Sequence, residues 1–385
     1  MPKFNEQKLK KLKRIDALIR SIYLFPKTKK QINTVIKTDV EEIIVLAFLL
    51  IGDTVMYIPA LRTLKRNFPN AKLTLVGGKL VETILQGQNL VDNFIVANCP
   101  WISPFDKSLK SIFSFFSSLT EINKKKYDLA IDFRGDWRNI FFMSLIRSTH
   151  KVSFDYSGGE YMLSDVITSP NRADHLIDEE FTLLEGMNCS YTEFDKLPSL
   201  QLNESDKKYL EGFKNEHHLI NKSIIGIHPG ASLEERKWDE AKYAELIIRL
   251  SKSPNKYKFL IFEGPKEKET VNKITGFFND EQIDYLIINK GLKEYLTLIN
   301  CCQILICNDS GAAHVGAAYD VPVVVIFGKG DPLEVRPFGR NQVKIVSHPL
   351  ECKPCHLINC KYGTNLCMKM VTVDEVYAQV TSIYT

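Results

Sequence analysis

One stretch of this 385-residue chain is dense in groups that could do chemistry, Leu305 to Pro332. A short apolar run, Ile304 to Cys307, breaks at Asn308-Asp309-Ser310-Gly311. Small residues from Ala312 to Tyr319 then suit a short helix, and a second apolar run, Val321 to Phe327, ends at Gly328. Strand, tight turn, helix and strand in that order make a parallel α/β unit. Such folds bind ligands outside the carboxyl ends of their strands, at a helix N-terminus. Free backbone amides there favour an anion, and Gly311 would let a phosphate come close. Asp309 and His314 are the polar groups able to fix a ligand. The competing structural reading is that Asp309 and Ser310 cap the helix and His314 is a satisfied helical residue.

Three further loops fall at strand ends: Gly52-Asp53, Pro229 to Trp238, and Glu263-Gly264-Pro265. Within the second of these, Ser232, Arg236 and Lys237 supply a hydroxyl and two cations. Together with the amides of the Ser310-Gly311 turn they suit a diphosphate held without a metal. The chain has no Asp-x-Asp pair, the usual magnesium-binding device of sugar-nucleotide enzymes, so no catalytic metal is expected. The first half contributes one carboxylate, Asp53, placed just after a buried strand. Its structural alternative is a helix cap.

The nine cysteines divide in two. Cys99, Cys189, Cys301, Cys302 and Cys307 are scattered and read as small buried apolar residues. Cys352, Cys355, Cys360 and Cys367 form C-x2-C-x4-C-x6-C, with Lys353, Lys361 and Lys369 among them. Four thiolates so closely spaced predict a closed tetrahedral metal site of structural kind, for which zinc is the commoner occupant. The alternative is a reduced cysteine-rich loop without metal. The cluster follows the stretch described first and is expected to lie beyond the ligand-binding loops.

The elements that must position these groups alternate throughout. Ile43 to Ile51 reads as a fully buried strand, Thr54 to Phe68 as a helix, and Lys72 to Val76 and Asn93 to Ala97 as strands. A long helix is expected within Phe105 to Lys126, then strands at Tyr127 to Phe133 and Lys151 to Tyr156, and a helix at Leu176 to Glu185. Pro198, the polar run Asn203 to Lys208 and Glu216-His217-His218 read as a boundary. Alternation then restarts: strands at Ser223 to His228, Lys258 to Phe262 and Tyr285 to Ile288, with helices at Asp239 to Leu250, Lys266 to Phe278 and Leu292 to Ile299. The expected fold is α/β, with two Rossmann-like doubly wound domains facing a cleft where a ligand would sit. The expected division is a basic arm at 1–38, an acceptor domain at 39–195, a donor domain at 196–345, and a cysteine-rich segment with a terminal helix at 346–385.

Charge is uneven. Residues 1–38 hold eleven Lys and Arg against Glu6 and Asp16, a net of +9, so the remainder is about −5 within the total of +4. The body of the chain therefore carries no nucleic-acid footprint. In the arm, Leu9, Leu12, Ile15, Ile19 and Ile22 recur at helical steps, with Lys8, Lys10, Lys11, Lys13, Arg14 and Arg20 mostly between them. Such a basic amphipathic helix suits an anionic membrane face; the alternative is a helix packed on the domain with a solvated basic side. Ile43 to Ile51 begins too late for a signal peptide, and at nine residues it is too short to span a bilayer. The expected place is the cytoplasm, with the arm peripheral to the inner face of the inner membrane.

Three motifs in order resemble glycosyltransferase family 9, the bacterial heptosyltransferases. They are Ile51-Gly52-Asp53-Thr54 with Pro59-Ala60-Leu61-Arg62 and Phe68-Pro69; His228-Pro229-Gly230-Ala231-Ser232 with Lys237-Trp238; and Asn308-Asp309-Ser310-Gly311 with His314, Pro322 and Phe327-Gly328. They cover roughly residues 42–335. The resemblance implies a GT-B fold and inverting transfer from a nucleotide-sugar donor, usually ADP-L-glycero-D-manno-heptose, to a glycolipid or glycan acceptor, usually the lipopolysaccharide inner core. It implies Asp53 as catalytic base, with Asp309, Gly311 and His314 on the donor and Ser310 and Ser232 near its phosphates. The family lysine more often stands two residues before the Trp; here Arg236 holds that place and Lys237 adjoins Trp238, so either is a candidate for the phosphate role. Arg134, where the family tends to have an uncharged polar residue, departs from the pattern on the acceptor side. Cysteine tails like this one occur in part of the family, including relatives that heptosylate autotransporter adhesins and hold iron there, so the metal stays open between zinc and iron. The alternatives to lipopolysaccharide-core transfer are a protein O-heptosyltransferase, a transferase using another sugar nucleotide, and a non-catalytic membrane-associated binding module.

Overall fold

The computed structural model describes residue 10, residues 12–17, 20, 39–102, 108–168, 175–279, 281–353, 355, 360 and 362–383. The chain divides into two compact units, Met1–Lys196 and Leu197–Thr385. Each is built on a six-stranded sheet in which every pairing is parallel.

In the first unit the strands are β1 (Glu42–Ala47), β2 (Lys72–Gly77), β3 (Asn93–Val96), β4 (Tyr127–Asp132), β5 (Ser148–Phe154) and β6 (Asp165–Ile167). Their order across the sheet is β3-β2-β1-β4-β5-β6. The second unit has β7 (Ile224–His228), β8 (Lys258–Phe262), β9 (Tyr285–Ile288), β10 (Ile304–Asn308), β11 (Val323–Ile326) and β12 (Val343–Val346), in the order β12-β11-β10-β7-β8-β9. Both sheets therefore reverse direction between their first and fourth strands, at β1/β4 and at β7/β10. That switch point opens a crevice at the carboxyl ends of the two strands, the usual ligand position in this architecture. The buried apolar character of the central strands follows from helices on both faces: Ile43 to Ala47 and Ile304 to Cys307 are at most 1% exposed.

The apolar run after Glu42 divides differently from the sequence expectation. β1 stops at Ala47, Phe48 and Leu49 are buried loop residues, and the helix Ile51–Asn67 has already begun before Asp53. Apolarity marks burial there, not extension. The polar stretch after Asn203 is likewise no linker throughout. Asn203 and Asp206 form a reciprocal capping box that starts the helix Glu204–Glu216, which buries Leu210 and Phe213. Two buried residues in four turns left too faint a periodicity to read. The helices Lys79–Leu85 and Trp137–Ser144, and the strands β6 and β12, were also missed.

The terminal helix Val373–Thr381 opens with a second capping box, Thr372 with Glu375. Its Val373, Val376 and Val380 enter the core of the second unit with Trp238, Tyr243 and Ile247. Of the basic arm, Lys10, residues 12–17 and Arg20 are described, and the remaining positions of its pattern lie outside the described residues. The segment 12–17 is helical and packs on the first unit. Leu12 is buried, the Asp16 carboxylate accepts from Trp137 Nε1 at 2.7 Å, and Arg20 pairs with Glu160 at 3.0 Å. Lys10, Lys13 and Arg14 stay exposed. Among the described residues no helix is long and apolar enough to cross a membrane.

Candidate active site

At the first switch point Asp53 stands in the first turn of the helix Ile51–Asn67. Its side chain does not cap that helix; the N-cap is Leu50, with no side-chain cap. The carboxylate instead meets Arg134, which follows β4, with Oδ1 3.3 Å from a guanidinium nitrogen. Two buried groups bring this pair together. Tyr57, one turn after Asp53, donates its hydroxyl to Leu46 O at the end of β1 at 3.2 Å and accepts from Phe133 N at 3.4 Å. Asp132, fully buried at the end of β4, accepts from Gly135 N, Asn139 and Ser153 at 2.9 to 3.0 Å. It thereby turns the chain through Gly135, whose φ of +60° is in the left-handed region that glycine tolerates. Burial pushes the Asp132 carboxyl above its ordinary range. Burial works against the Arg134 charge, but the Asp53 carboxylate together with Tyr57, Glu180 and Asp132 outweighs it and holds the guanidinium above its ordinary value.

At the second switch point the arrangement is mirrored. Arg236, in the loop after β7, places its guanidinium 3.0 Å from Oδ2 of Asp309, which follows β10. Asp309 is 4% exposed. Burial pushes its carboxyl up, and the Arg236 charge pulls the other way. Among the described residues, buried Arg236 Nε has no hydrogen-bond partner, and buried Asp309 Oδ2 has none beyond its ion pair with Arg236. Buried polar atoms of this kind are uncommon in a native fold and mark groups that await a partner. Gly330 leaves room for them: a Cβ there would sit 2.8 Å from Asp309 Oδ2.

Ser310 is the N-cap residue of the helix Gly311–Ala318, yet its hydroxyl does not cap; it lies 3.5 Å from His228 Nδ1. The capping alternative therefore does not account for Asp309 or Ser310. Burial drives the His228 imidazole down to about 4, so it is neutral at physiological pH. Gly311 is the first residue of that helix, and its leading amides have no acceptor within it. His314, one turn on, is 6% exposed. Ser232 is exposed in the loop after β7. Lys237 differs from Arg236: its ammonium pairs with Glu234, 2.6 Å away and three residues back.

Two positioning residues escaped the sequence reading. Asn308, fully buried at the end of β10, accepts from Trp238 N at 3.1 Å and from the Tyr243 hydroxyl at 3.0 Å, and donates to Pro229 O at 2.7 Å. One amide thus clasps both ends of the loop that carries Ser232 and Arg236. The signal was present, a polar residue ending an apolar strand, but a turn was the simpler reading. Glu267 is the second. It fills the space that a side chain on Gly230 or Gly264 would occupy, 2.7 Å from the Cβ position at Gly230.

The four motif cysteines line one cavity of about 20 Å³, with Lys353, Tyr362, Lys329 and Glu235 completing the wall. All four are free thiols. Among the described residues no three Cys, His, Asp or Glu side chains converge closely enough to hold a metal ion. The expectation that this cluster lies beyond the ligand-binding loops is corrected. Glu235 belongs to the loop after β7, next to Arg236, and Cys355 N donates to Lys329 O at 3.0 Å beside Gly330. Tertiary packing folds the segment back: Trp238 Nε1 donates to Val371 O at 3.0 Å, and Lys242 Nζ to Lys369 O and Val371 O at 2.7 Å each.

A family model, glycosyltransferase family 9 (heptosyltransferase), matches residues 115–365, a span that includes the second and third motifs and follows Asp53. Lipooligosaccharide heptosyltransferase 2 of Campylobacter jejuni subsp. jejuni serotype O:2 is 27% identical over 340 residues, covering 86% of this chain and 95% of the relative. The solved Escherichia coli ADP-heptose lipopolysaccharide heptosyltransferase II superposes with a TM-score of 0.70 at 20% identity, covering 89% of this chain and 98% of that one. The iron-containing dodecameric glycosyltransferase TibC of enterotoxigenic E. coli H10407 does so with a TM-score of 0.53 at 12% identity, covering 90% and 77%. The two Rossmann-like domains are those of the GT-B fold. The chain belongs to glycosyltransferase family 9, the heptosyltransferase family, and is a glycosyltransferase.

Proposed function

We propose that this enzyme moves a heptose from ADP-heptose to a hydroxyl of a lipopolysaccharide or lipooligosaccharide core, with inversion at the anomeric carbon. The observation that carries the reading is the Arg236–Asp309 pair at the second switch point, beside the N-terminus of the helix Gly311–Ala318. A half-buried cation with an unsatisfied Nε, next to the leading amides of a helix, suits a diphosphate. The donor set is Ser232, Arg236, Asp309, Ser310, Gly311 and His314. Lys237 has a weaker claim because Glu234 already holds its ammonium.

Asp53 is the base in this scheme. It takes the proton of the acceptor hydroxyl, whose oxygen bonds to the anomeric carbon as the bond to the diphosphate oxygen breaks. ADP leaves with the electron pair, and its growing charge is met by Arg236 and the helix N-terminus. Arg134 holds the Asp53 carboxylate in direction through their ion pair. No step runs through a metal.

The thiolates of Cys352, Cys355, Cys360 and Cys367 would close on one zinc or iron ion in a structural site. Their shared small cavity supports this. Such an ion would clamp the segment after β12 against the donor loop and leave no coordination position for substrate. The enzyme would act in the cytoplasm, at the inner face of the inner membrane where a glycolipid acceptor is presented.

The test supplies ADP-heptose, UDP-glucose and GDP-mannose separately with purified heptose-deficient core glycolipid, and follows nucleoside diphosphate release by mass spectrometry. ADP formation only with ADP-heptose and acceptor together, with an inverted anomeric proton in the NMR spectrum of the product, is the expected result. Faster turnover of another sugar nucleotide, or transfer only to a polypeptide acceptor, would overturn the assignment.

A further inference from the structure

The helix Leu109–Ile122 buries only Phe115 and Ile122. A second apolar stripe on it faces out. Leu109 is 85% exposed and Phe113 78%, and Ile112 and the half-buried Phe116 fall at the same helical spacing. Lone exposed apolar residues need no account, but a stripe of large ones along a helix marks a surface that something covers.

Neighbouring contacts show what surrounds this stripe. The Phe116 ring meets Phe141 edge-on, with centroids 6.4 Å apart. Phe141 stacks on Trp137 at 5.5 Å, and the indole N–H of Trp137 is the group that Asp16 of the basic helix accepts. An aromatic ladder thus joins the exposed stripe to the docked arm, whose Lys10, Lys13 and Arg14 are exposed. At the other end Leu145, one turn past Phe141, is 42% exposed. There Asn123 donates to Leu145 O at 3.0 Å and accepts from Arg147 N at 2.8 Å, which sets the exposed Arg147 beside Leu145. The result is an apolar strip with cations at both ends, all within the first unit.

We propose that this strip is the membrane-docking surface of the enzyme: Leu109, Ile112 and Phe113 enter the headgroup–acyl boundary of an anionic bilayer, and Lys10, Lys13, Arg14 and Arg147 lie against its phosphates. A polar partner would leave the large side chains uncovered, and an apolar partner without charge would leave the flanking cations without a role. A bilayer rich in acidic lipid answers both. The helical segment 12–17 is therefore not a free tether. Its Asp16–Trp137 bond and the Arg20–Glu160 pair fix it as the charged margin of a rigid surface. This deepens the peripheral placement proposed above, and its test uses no sugar nucleotide, so it stands or fails apart from heptosyl transfer.

Full-length protein is sedimented with vesicles of phosphatidylethanolamine and phosphatidylglycerol, and with vesicles of phosphatidylcholine alone. L109S/F113S removes the apolar side chains at exposed positions, and K13E/R14E reverses two charges. L109S/F113S should lower partitioning onto the acidic vesicles by about tenfold or more at every salt concentration, because lost burial is not screened. K13E/R14E should lower it by a similar factor at low salt, with the difference shrinking as salt rises. In a third variant, Phe113→Trp, indole fluorescence should be quenched by lipids brominated in the acyl chain. Thermal melts of all variants should match the wild type. Equal sedimentation of L109S/F113S and wild type would overturn the proposal. So would a wild-type dimer in ultracentrifugation that L109S/F113S dissociates without any change in vesicle binding, since the stripe would then be covered by a second copy.

Discussion

Arg236 and Asp309 meet at 3.0 Å across the second switch point, and Asp53 and Arg134 meet at 3.3 Å across the first. Each sheet therefore carries one acid–guanidinium pair where its strand order reverses, with the two members swapped between strands. In the first unit the acid follows the early strand β1, and in the second it follows the late strand β10. The acid in the second unit is the more buried, with the Asp309 side chain 6% exposed against 23% for Asp53, while the two guanidinium side chains are similarly half-buried. Only there, among the described residues, do buried polar atoms of the pair lack a hydrogen bond.

This asymmetry separates Arg236 from Lys237. Replacing Arg236 by Ala should weaken ADP binding by about 10- to 100-fold, the usual value of a hydrogen bond to a charged group. Replacing Lys237 by Ala should change it by no more than about threefold, because that ammonium is already held by the exposed Glu234. Isothermal titration with ADP measures both. The reverse ranking would hand the phosphate role to Lys237.

For the first pair the readout is the chemical step. Asp53→Asn should lower kcat by about 10²-fold or more while ADP affinity stays nearly unchanged, as expected for loss of a general base. Arg134→Gln leaves the base present but unsupported, and kcat should fall by about tenfold, the scale of one lost charged contact. Wild-type turnover by the Asp53 variant in a single-turnover assay would remove it from the mechanism.

Asn308 carries a stability prediction. Asn308→Ala abandons Trp238 N, the Tyr243 hydroxyl and Pro229 O, all paired through this one amide. Leaving several buried polar groups unsatisfied costs about 3–5 kcal/mol. Urea unfolding should show that loss, and ADP affinity should fall with it, because the loop bearing Arg236 is released. A variant with wild-type stability and weak ADP binding would instead make Asn308 a ligand contact.

His228 gives a pH dependence. Burial holds its pKa near 4 in the folded chain, below the ordinary value of 6.5. Between those values the unfolded chain takes up a proton that the folded chain refuses. The contribution is fully present above about pH 6.5 and is lost as pH falls toward 4, with a slope of at most about 1.4 kcal/mol per pH unit. His228→Gln should flatten the stability–pH curve in that window. An unchanged slope would mean that His228 protonates freely in the native state.

The cysteine cavity is tested by metal content and melting temperature together. With Cys355 and Cys360 both replaced by Ser, bound zinc or iron should fall from one per chain to none. The melting temperature should drop by several degrees, since metal-binding energy at a structural site is folding energy. Assayed well below the new melting point, kcat should stay within about threefold, as a closed four-thiolate site predicts. Loss of kcat at unchanged stability would point to a metal that acts in catalysis. Wild-type protein free of metal as purified would leave a reduced cysteine loop.

Much of this was legible in the residues themselves. Runs of apolar residues broken by Gly, Pro, Asp and Asn at regular distances specify a parallel α/β chain, because strands covered on both faces must be apolar along their length and must turn at their ends. Hence β8 at Lys258–Phe262, β9 at Tyr285–Ile288 and the helix Leu292–Ile299 were read to the residue. Asp53, Arg236, Lys237 and Asp309 were named because they stand where those strands stop. What the sequence could not decide was which partner each charged group takes. Arg236 and Lys237 are adjacent and alike in charge, and only the path of the loop clasped by Asn308 turns one toward Asp309 and the other toward Glu234. Arg134 and Asp53 are far apart in the chain and become a pair only because Tyr57 and Asp132 bring the ends of β1 and β4 together. The cysteine segment, remote in sequence from the loop after β7, shares a cavity wall with Glu235 because Trp238 and Lys242 fasten residues 369–371 across it. Local pattern is set by what each residue prefers beside its neighbours. Pairing across a switch point depends on closing long loops, and the physics of that closure resides in the packed core, not in any short stretch of sequence.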